Sequence, residues 1–407
     1  MTRMGTGGAS IDGTDEPRAH IWGRRVLRLT TVQLVILALV RILDILLGGS
    51  LVGGGDVPVF DDRARALLSG DITYRTTFLV NDVPPLINLF FIFPHLAGGT
   101  VFAYQVLFGL ANVVTGLAIW RLIDAVRPGA GGAAAYFYNL HPITWLTAYS
   151  IVQDETLVPL FVVLAVIAMA AARPAAAGVW TALGVLVKAW PVIAALVLLL
   201  RSKGPDSIRL LVGAAVPALL FIVPYLILAP EYLQHLVSFY AGGHRPEHSI
   251  ETGLSLWTAI QHAGLPLSET LLSVLAMAAV LLVAVRARRK RLPVLDAVGA
   301  AFAVFLVLYP KTHLGYYLLP LALMAHHLAP RGFAFRVYLI ATAALLVAHY
   351  IWRRMVVLGP FTVPTHIAAM LIVDAALLWV AWRLLGTSRH HPEHQPTPDP
   401  AASPGSP

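Results

Sequence analysis

Long apolar runs, recurring between short basic loops, constrain this chain more than any other feature. A bilayer core about 30 Å thick takes ~20 apolar residues as a helix, and shorter helices are tolerated inside a bundle. Roughly twelve runs meet that description: 27–49, 99–124, 132–149, 155–172, 175–187, 189–201, 209–229, 268–286, 293–309, 313–329, 334–352 and 364–386. Composition agrees. Of 407 residues 58% are hydrophobic and 12% charged, whereas a water-soluble domain is roughly a quarter charged. A soluble enzyme is excluded, and with no cysteine so are disulfide scaffolds, iron–sulfur clusters and thiolate zinc sites. The expected fold is all-α, a polytopic transmembrane helix bundle over 27–386. A segment 1–26 precedes it, too polar for a cleaved signal peptide. The tail 387–407, rich in Pro, Ser and His without an apolar period, reads as disordered.

The bases orient the bundle. Arg24, Arg25 and Arg28 place the N-terminus in the cytoplasm. Counting forward, the same side receives Arg121 and Arg127, Arg173, the trio Arg201, Lys203 and Arg209, five bases from Arg286 to Arg291, Arg331 with Arg336, and Arg383 with Arg389. Arg353 and Arg354 are the one adjacent basic pair that falls opposite. The formal charge of +8 is thus spread over separate loops, which excludes a nucleic-acid surface. Inside the first span Arg41 and Asp44, three apart, are expected to pair. Asp296 and Asp374 have no evident companion, and the runs flanking Lys188 read either as two helices or as one kinked helix.

On the external side the polar residues gather. The segments 50–98 and 230–267 and the junctions 150–154 and 310–312 are too long or too polar for simple turns, and the external side holds Asp56, Asp82, Gln153, Asp154, Glu155, Lys188, His244, Arg245, Lys311 and His313. Carboxylates that take a proton and cations that hold a phosphate are the inventory for moving a charged group between substrates. Asp56 directly follows Gly53, Gly54 and Gly55, a flexible turn able to carry a carboxylate down to the membrane face. After it, Phe60, Ala64, Leu67 and Leu68 form the apolar stripe of a short interfacial helix stopped at Ser69-Gly70. Pro84 and Pro85 start another helix, too short to cross, with Asp82 either its N-cap or a site residue.

At these residues the chain resembles the GT-C glycosyltransferases, multi-span enzymes that use polyprenyl-phosphate sugars. The resemblance rests on an ordered set of blocks over about 50–325: Asp56-Val57-Pro58-Val59-Phe60, Gly70 to Tyr74-Arg75, Pro84-Pro85-Leu86, and His141-Pro142 before Gln153-Asp154-Glu155. Lys188-Ala189-Trp190-Pro191 follows, then Tyr309-Pro310-Lys311-Thr312-His313 leading to Tyr316-Tyr317. It is nearest to the bacterial polyprenyl-phosphomannose mannosyltransferases of phosphatidylinositol mannoside assembly and to the related arabinofuranosyltransferases. Two positions depart from that pattern: Val83 stands where an aromatic is usual, and Glu155 where an aspartate is usual.

The resemblance implies an inverting single displacement at the external face of the plasma membrane. An acceptor hydroxyl, on a glycolipid or glycan, attacks C1 of the sugar and the lipid phosphate departs. Asp56 is then the general base, expected in a buried position near lipid. His313 and Lys311, followed by Arg245, His244 and Lys188, hold the donor phosphate, with a structural role for Lys188 equally open. Asp82, Asp154, Glu155, Tyr74 and Arg75 serve the acceptor or the sugar; which of Asp154 and Glu155 acts stays open. A divalent cation bridging the phosphate is the one cofactor this scheme admits. The sugar is mannose first, arabinofuranose second. A lipid or solute transporter would instead show inverted repeats with charges at the midplane, and no such symmetry is visible. A non-catalytic scaffold gives no reason for a carboxylate behind three glycines.

Overall fold

The computed structural model describes residues 18–71, 83–240, 253–329, 332–358 and 362–386, and no strand occurs among them. The helices are α1 (Arg18–Leu46), α2 (Val57–Leu68), α3 (Leu86–Leu96), α4 (Val101–Val126), α5 (Gly131–Leu140), α6 (Pro142–Trp145), α7 (Val158–Ala170), α8 (Pro174–Val187) and α9 (Val192–Arg201). They continue with α10 (Pro205–Leu228), α11 (Pro230–Tyr240), α12 (Leu256–His262), α13 (Glu269–Arg289), α14 (Val294–Leu308), α15 (Leu318–Leu328), α16 (Phe333–Leu358) and α17 (Thr362–Gly386). A π turn, Leu146–Ile151, and two 3₁₀ turns, Asp154–Leu157 and Leu314–Tyr317, interrupt the series.

Each of the twelve apolar runs falls on helix, but the lengths divide them. Among the described residues six helices, α1, α4, α10, α13, α16 and α17, are long and apolar enough to cross a bilayer. The chain is a multi-pass membrane protein. The shorter apolar helices include α8, α9 and α14. The run 132–149 is broken into α5, α6 and the π turn, because His141-Pro142 cannot continue a helix.

Two of the short helices lie deepest, and two of the long ones face outward. On α14 nearly every residue from Leu295 to Val307 is buried, and α15 is enclosed in the same way. By contrast Leu211, Val212, Val216, Leu219 and Leu220 of α10 are exposed, as are Leu34, Val35 and Leu39 of α1. Such apolar faces have only lipid to meet. A short helix in the middle of the bundle meets protein on all sides and leaves its ends as turns at membrane depth, where irregular backbone is tolerated only inside protein or beside a cavity. Those turns carry the polar residues.

One expectation is corrected, and two open alternatives are resolved. Arg41 and Asp44 do not pair: Asp44 Oδ1 accepts the backbone N–H groups of Leu51 (3.0 Å) and Val52 (2.9 Å), fixing the chain as it leaves α1. The two runs around Lys188 are separate helices, since Lys188 is fully extended (φ −155°, ψ 146°) between them. The N-cap of α3 is Pro85, not Asp82, and Asp82 itself lies outside the described residues, as does the tail 387–407.

The amphipathic helix expected after Asp56 is α2. Phe60 stacks on Phe91 of α3 with ring centroids 4.4 Å apart and meets Tyr104 and Phe108 of α4. Ala64 is buried beside it, Leu67 is half-buried and Leu68 exposed. The helix ends at Ser69, with Gly70 at φ +83°, where glycine is the residue without steric penalty.

Candidate active site

The loop that follows α1 is fastened to the turn that follows α6. Ser150 Oγ donates to the Leu51 carbonyl (2.7 Å), and the Gly53 N–H donates to the Ser150 carbonyl (3.2 Å). Gly55 completes the seam. Its φ is +42°, and a Cβ there would lie 2.2 Å from the Ile151 carbonyl oxygen, so only glycine lets the two backbones touch. The next residue is Asp56. It occupies the N-cap position of α2 yet makes no capping bond; its Oδ2 instead accepts Gln153 Nε2–H at 3.0 Å. Asp56 is exposed, not buried as expected. The glycine loop brings the carboxylate to the rim of the bundle, facing outward, and not beneath it.

From Gln153 the polar residues run inward. The π turn ends at Val152, left-handed at φ +58° and fully buried, which reverses the chain and projects Gln153 toward Asp56 while Asp154 and Glu155 turn into the bundle. Lys188, from the extended break between α8 and α9, reaches both acids: Nζ lies 2.7 Å from Asp154 Oδ1 and 3.2 Å from Glu155 Oε1. Glu155 is buried, 4% exposed. One of its oxygens, Oε2, is enclosed without a hydrogen-bond partner.

Beyond Glu155 stands the turn between α14 and α15. A Cβ on Gly315 would lie 2.7 Å from Glu155 Cβ, so the absence of a side chain there seats the acid. Trp190 packs on Tyr316 (4.0 Å between ring centroids) and on Tyr309 (4.9 Å), joining the lysine break to this turn. His313 sets its ring edge-on to Tyr316 at 5.4 Å. The segment before it is held by α12 and its approach: Ser255 Oγ donates to the Pro310 carbonyl (2.6 Å), Trp257 Nε1 to the Val307 carbonyl (2.9 Å), and the Thr312 hydroxyl to the Leu254 carbonyl.

One region therefore receives Asp56, Asp154, Glu155 and Lys188 in a connected row, with the turn carrying His313 and Lys311 packed against its inner end. Tyr74, Arg75, Asp82, His244 and Arg245 lie outside the described residues. Both acids share Lys188, and among the described residues no three His, Asp or Glu side chains converge here as a metal trio.

Two contributors escaped the sequence reading. Gln153 stands among the external polar residues with no role of its own in the sequence, although it is the side chain that holds Asp56. Arg63 was not singled out at all. It is spaced 4 + 3 residues beyond Asp56 through Phe60, which puts the three on one helical face with Arg63 ~10 Å along the axis. It is 7% exposed, its Nε has no hydrogen-bond partner, and the adjacent acids Asp61 and Asp62 are engaged by His95 and Arg65. The available signal was an arginine in the buried phase of an amphipathic pattern. Beside the glycine loop runs a groove of about 690 Å³, with Asp61, Asp62, Arg65 and Thr100 in its wall.

The family model for glycosyltransferase family 87 matches residues 84–310, over half of the chain. This chain belongs to glycosyltransferase family 87. Among solved structures, the family 87 chain is similar to ArnT from Cupriavidus metallidurans in the apo state, with 15% identity and a TM-score of 0.50 over 91% of this chain and 78% of that one. The structure of the same ArnT bound to undecaprenyl phosphate aligns with 14% identity, a TM-score of 0.48 and the same coverage. No curated protein matches the sequence. The similarity to apo ArnT gives the fold of this family 87 member, an ArnT-like, all-helical GT-C architecture.

Proposed function

We propose that the protein transfers a sugar, mannose by its resemblance and arabinofuranose as the second choice, from a polyprenyl phosphate to a hydroxyl of a glycolipid or glycan. The transfer takes place at the external face of the plasma membrane with inversion at C1. Family membership supports glycosyl transfer; ArnT, whose fold is similar, has been solved with undecaprenyl phosphate bound.

The observation that carries the mechanism is the Gln153–Asp56 bond. Gln153 occupies Oδ2 and fixes the plane of the carboxylate, while Oδ1 has no partner among the described residues. That oxygen takes the acceptor's proton as its hydroxyl oxygen bonds to C1 and the C1–O bond to the phosphate breaks. The acceptor's polar head uses the groove beside the glycine loop. The departing phosphate is received by His313 and Lys311, with His244 and Arg245 assigned to it by sequence, and by Arg63: an enclosed guanidinium without a described counter-ion calls for an anion. Lys188 is a positioning residue that sets Asp154 and Glu155 against the sugar, as Asp82, Tyr74 and Arg75 are assigned to do.

The test is transfer of radiolabelled mannose, and in parallel arabinose, from polyprenyl phosphate to lipid extract by membranes containing the chain. Label should appear with the wild type and vanish with Asp56→Asn. Undiminished label from that variant removes Asp56 from the reaction, and no label from either donor overturns the assignment of substrate.

A further inference from the structure

The helices α14 and α15 form a hairpin whose turn carries Lys311 and His313, and whose open end holds a second cluster that the transfer reaction does not use. Asp296 lies in the first turn of α14, and His326 and His327 in the last turn of α15. The twelve helical steps from Asp296 to Leu308 separate the cluster from the turn by ~18 Å of helix. Both imidazoles aim at one atom: His327 Nε2 is 3.2 Å and His326 Nε2 3.4 Å from Asp296 Oδ1. The rings stand 3.8 Å apart at 47°. All three donor atoms lie within 4.8 Å of one another.

Hydrogen bonding accounts for this poorly. Charge-assisted N–H···O⁻ bonds run to about 2.7–2.9 Å, and 3.4 Å is beyond good geometry. His326 is left worst served, its Nε2 at the longer distance. The separations do suit a common cation. With bonds of about 2.0–2.2 Å, a tetrahedral zinc ion holds neighbouring ligand atoms about 3.4 Å apart. Two imidazoles and one carboxylate are a borderline-soft donor set that favours zinc over magnesium or calcium, and three protein ligands leave a fourth position for water. Arg201 of α9 is close enough to interact with Asp296. The cation would therefore share the carboxylate with a fixed positive charge, which limits affinity without blocking the site.

We propose that Asp296, His326 and His327 form a binding site for a divalent transition cation, zinc by its donors, that closes the open end of the α14–α15 hairpin. The site stands apart from the transfer chemistry and does not depend on it. It braces from below the two helices whose upper turn carries Lys311 and His313.

The full chain, purified without a histidine tag, is stripped with chelator and re-exposed to zinc chloride. Bound zinc is counted by mass spectrometry after gel filtration, and unfolding is followed by tryptophan fluorescence. Because His390, His391 and His394 also offer imidazoles, all arms are run with those three changed to alanine. One zinc per chain and a raised Tm are expected, both abolished in Asp296→Asn and in His327→Gln; the latter, at a half-exposed position, guards against a folding defect in the former. Zinc that is absent from the parent, or that survives both substitutions, overturns the site.

Discussion

Gln153 donates its side-chain N–H to Asp56 at 3.0 Å, tying a loop carboxylate to a turn 97 residues further along the chain. Such a bond holds the carboxylate in one plane and leaves its second oxygen toward the outside. Gln153→Leu should lower kcat roughly ten-fold with little change in donor KM, whereas Asp56→Asn should lower it ~10²–10⁴-fold. Steady-state transfer with purified protein measures both. Equal losses in kcat for the two variants would mean that Gln153 does more than orient Asp56.

Lys188 holds two buried carboxylates at once. Lys188→Met leaves both without a cation, and breaking a buried pair in this way destabilises by ~3–5 kcal/mol. Combining it with Asp154→Asn and Glu155→Gln should restore most of the lost Tm, measured by calorimetry in detergent, because the stranded charges go with the lysine. A wild-type Tm for Lys188→Met would mean that the lysine serves only the donor.

Gly315 should tolerate no side chain. Alanine would set its Cβ 2.7 Å from Glu155 Cβ and 3.0 Å from Cγ, a mild overpacking of ~1–3 kcal/mol that the acid relieves by moving. The expected signature is a ten-fold or greater fall in kcat/KM with a smaller loss of Tm. Gly55→Ala should be the harsher change for folding, since a backbone carbonyl opposes it at 2.2 Å and φ is +42°.

The reading of the sequence succeeded where a signal is local or periodic. Twelve apolar runs gave twelve helical regions, the stripe at Phe60 and Ala64 gave α2, and Ser69-Gly70 gave its end. It also grouped Asp56, Asp154, Glu155 and Lys188 at one face, because alternating basic loops count helix ends. It missed what depends on which ends meet. Asp44 was paired with Arg41 by spacing, yet two unsatisfied backbone N–H groups beyond the helix claimed it first. Asp296 lacked a companion in sequence, because its histidines come thirty residues later on the return arm of a hairpin. Arg63 was invisible because the amphipathic pattern assigns a charged residue to water, and here the face turns into protein.

The Lys188 ion pairs have a consequence for biosynthesis. Asp154, Glu155 and their cation are separated by only 34 residues, and α7 and α8 are all that comes between. A nascent chain entering the bilayer would otherwise present two carboxylates to hydrocarbon. Here it can neutralise them as soon as the eighth helix has left the ribosome, before α14 and α15 exist. The charges most hazardous to insertion are thus cancelled within the first half of translation, and only then does Gly315 arrive to close over them.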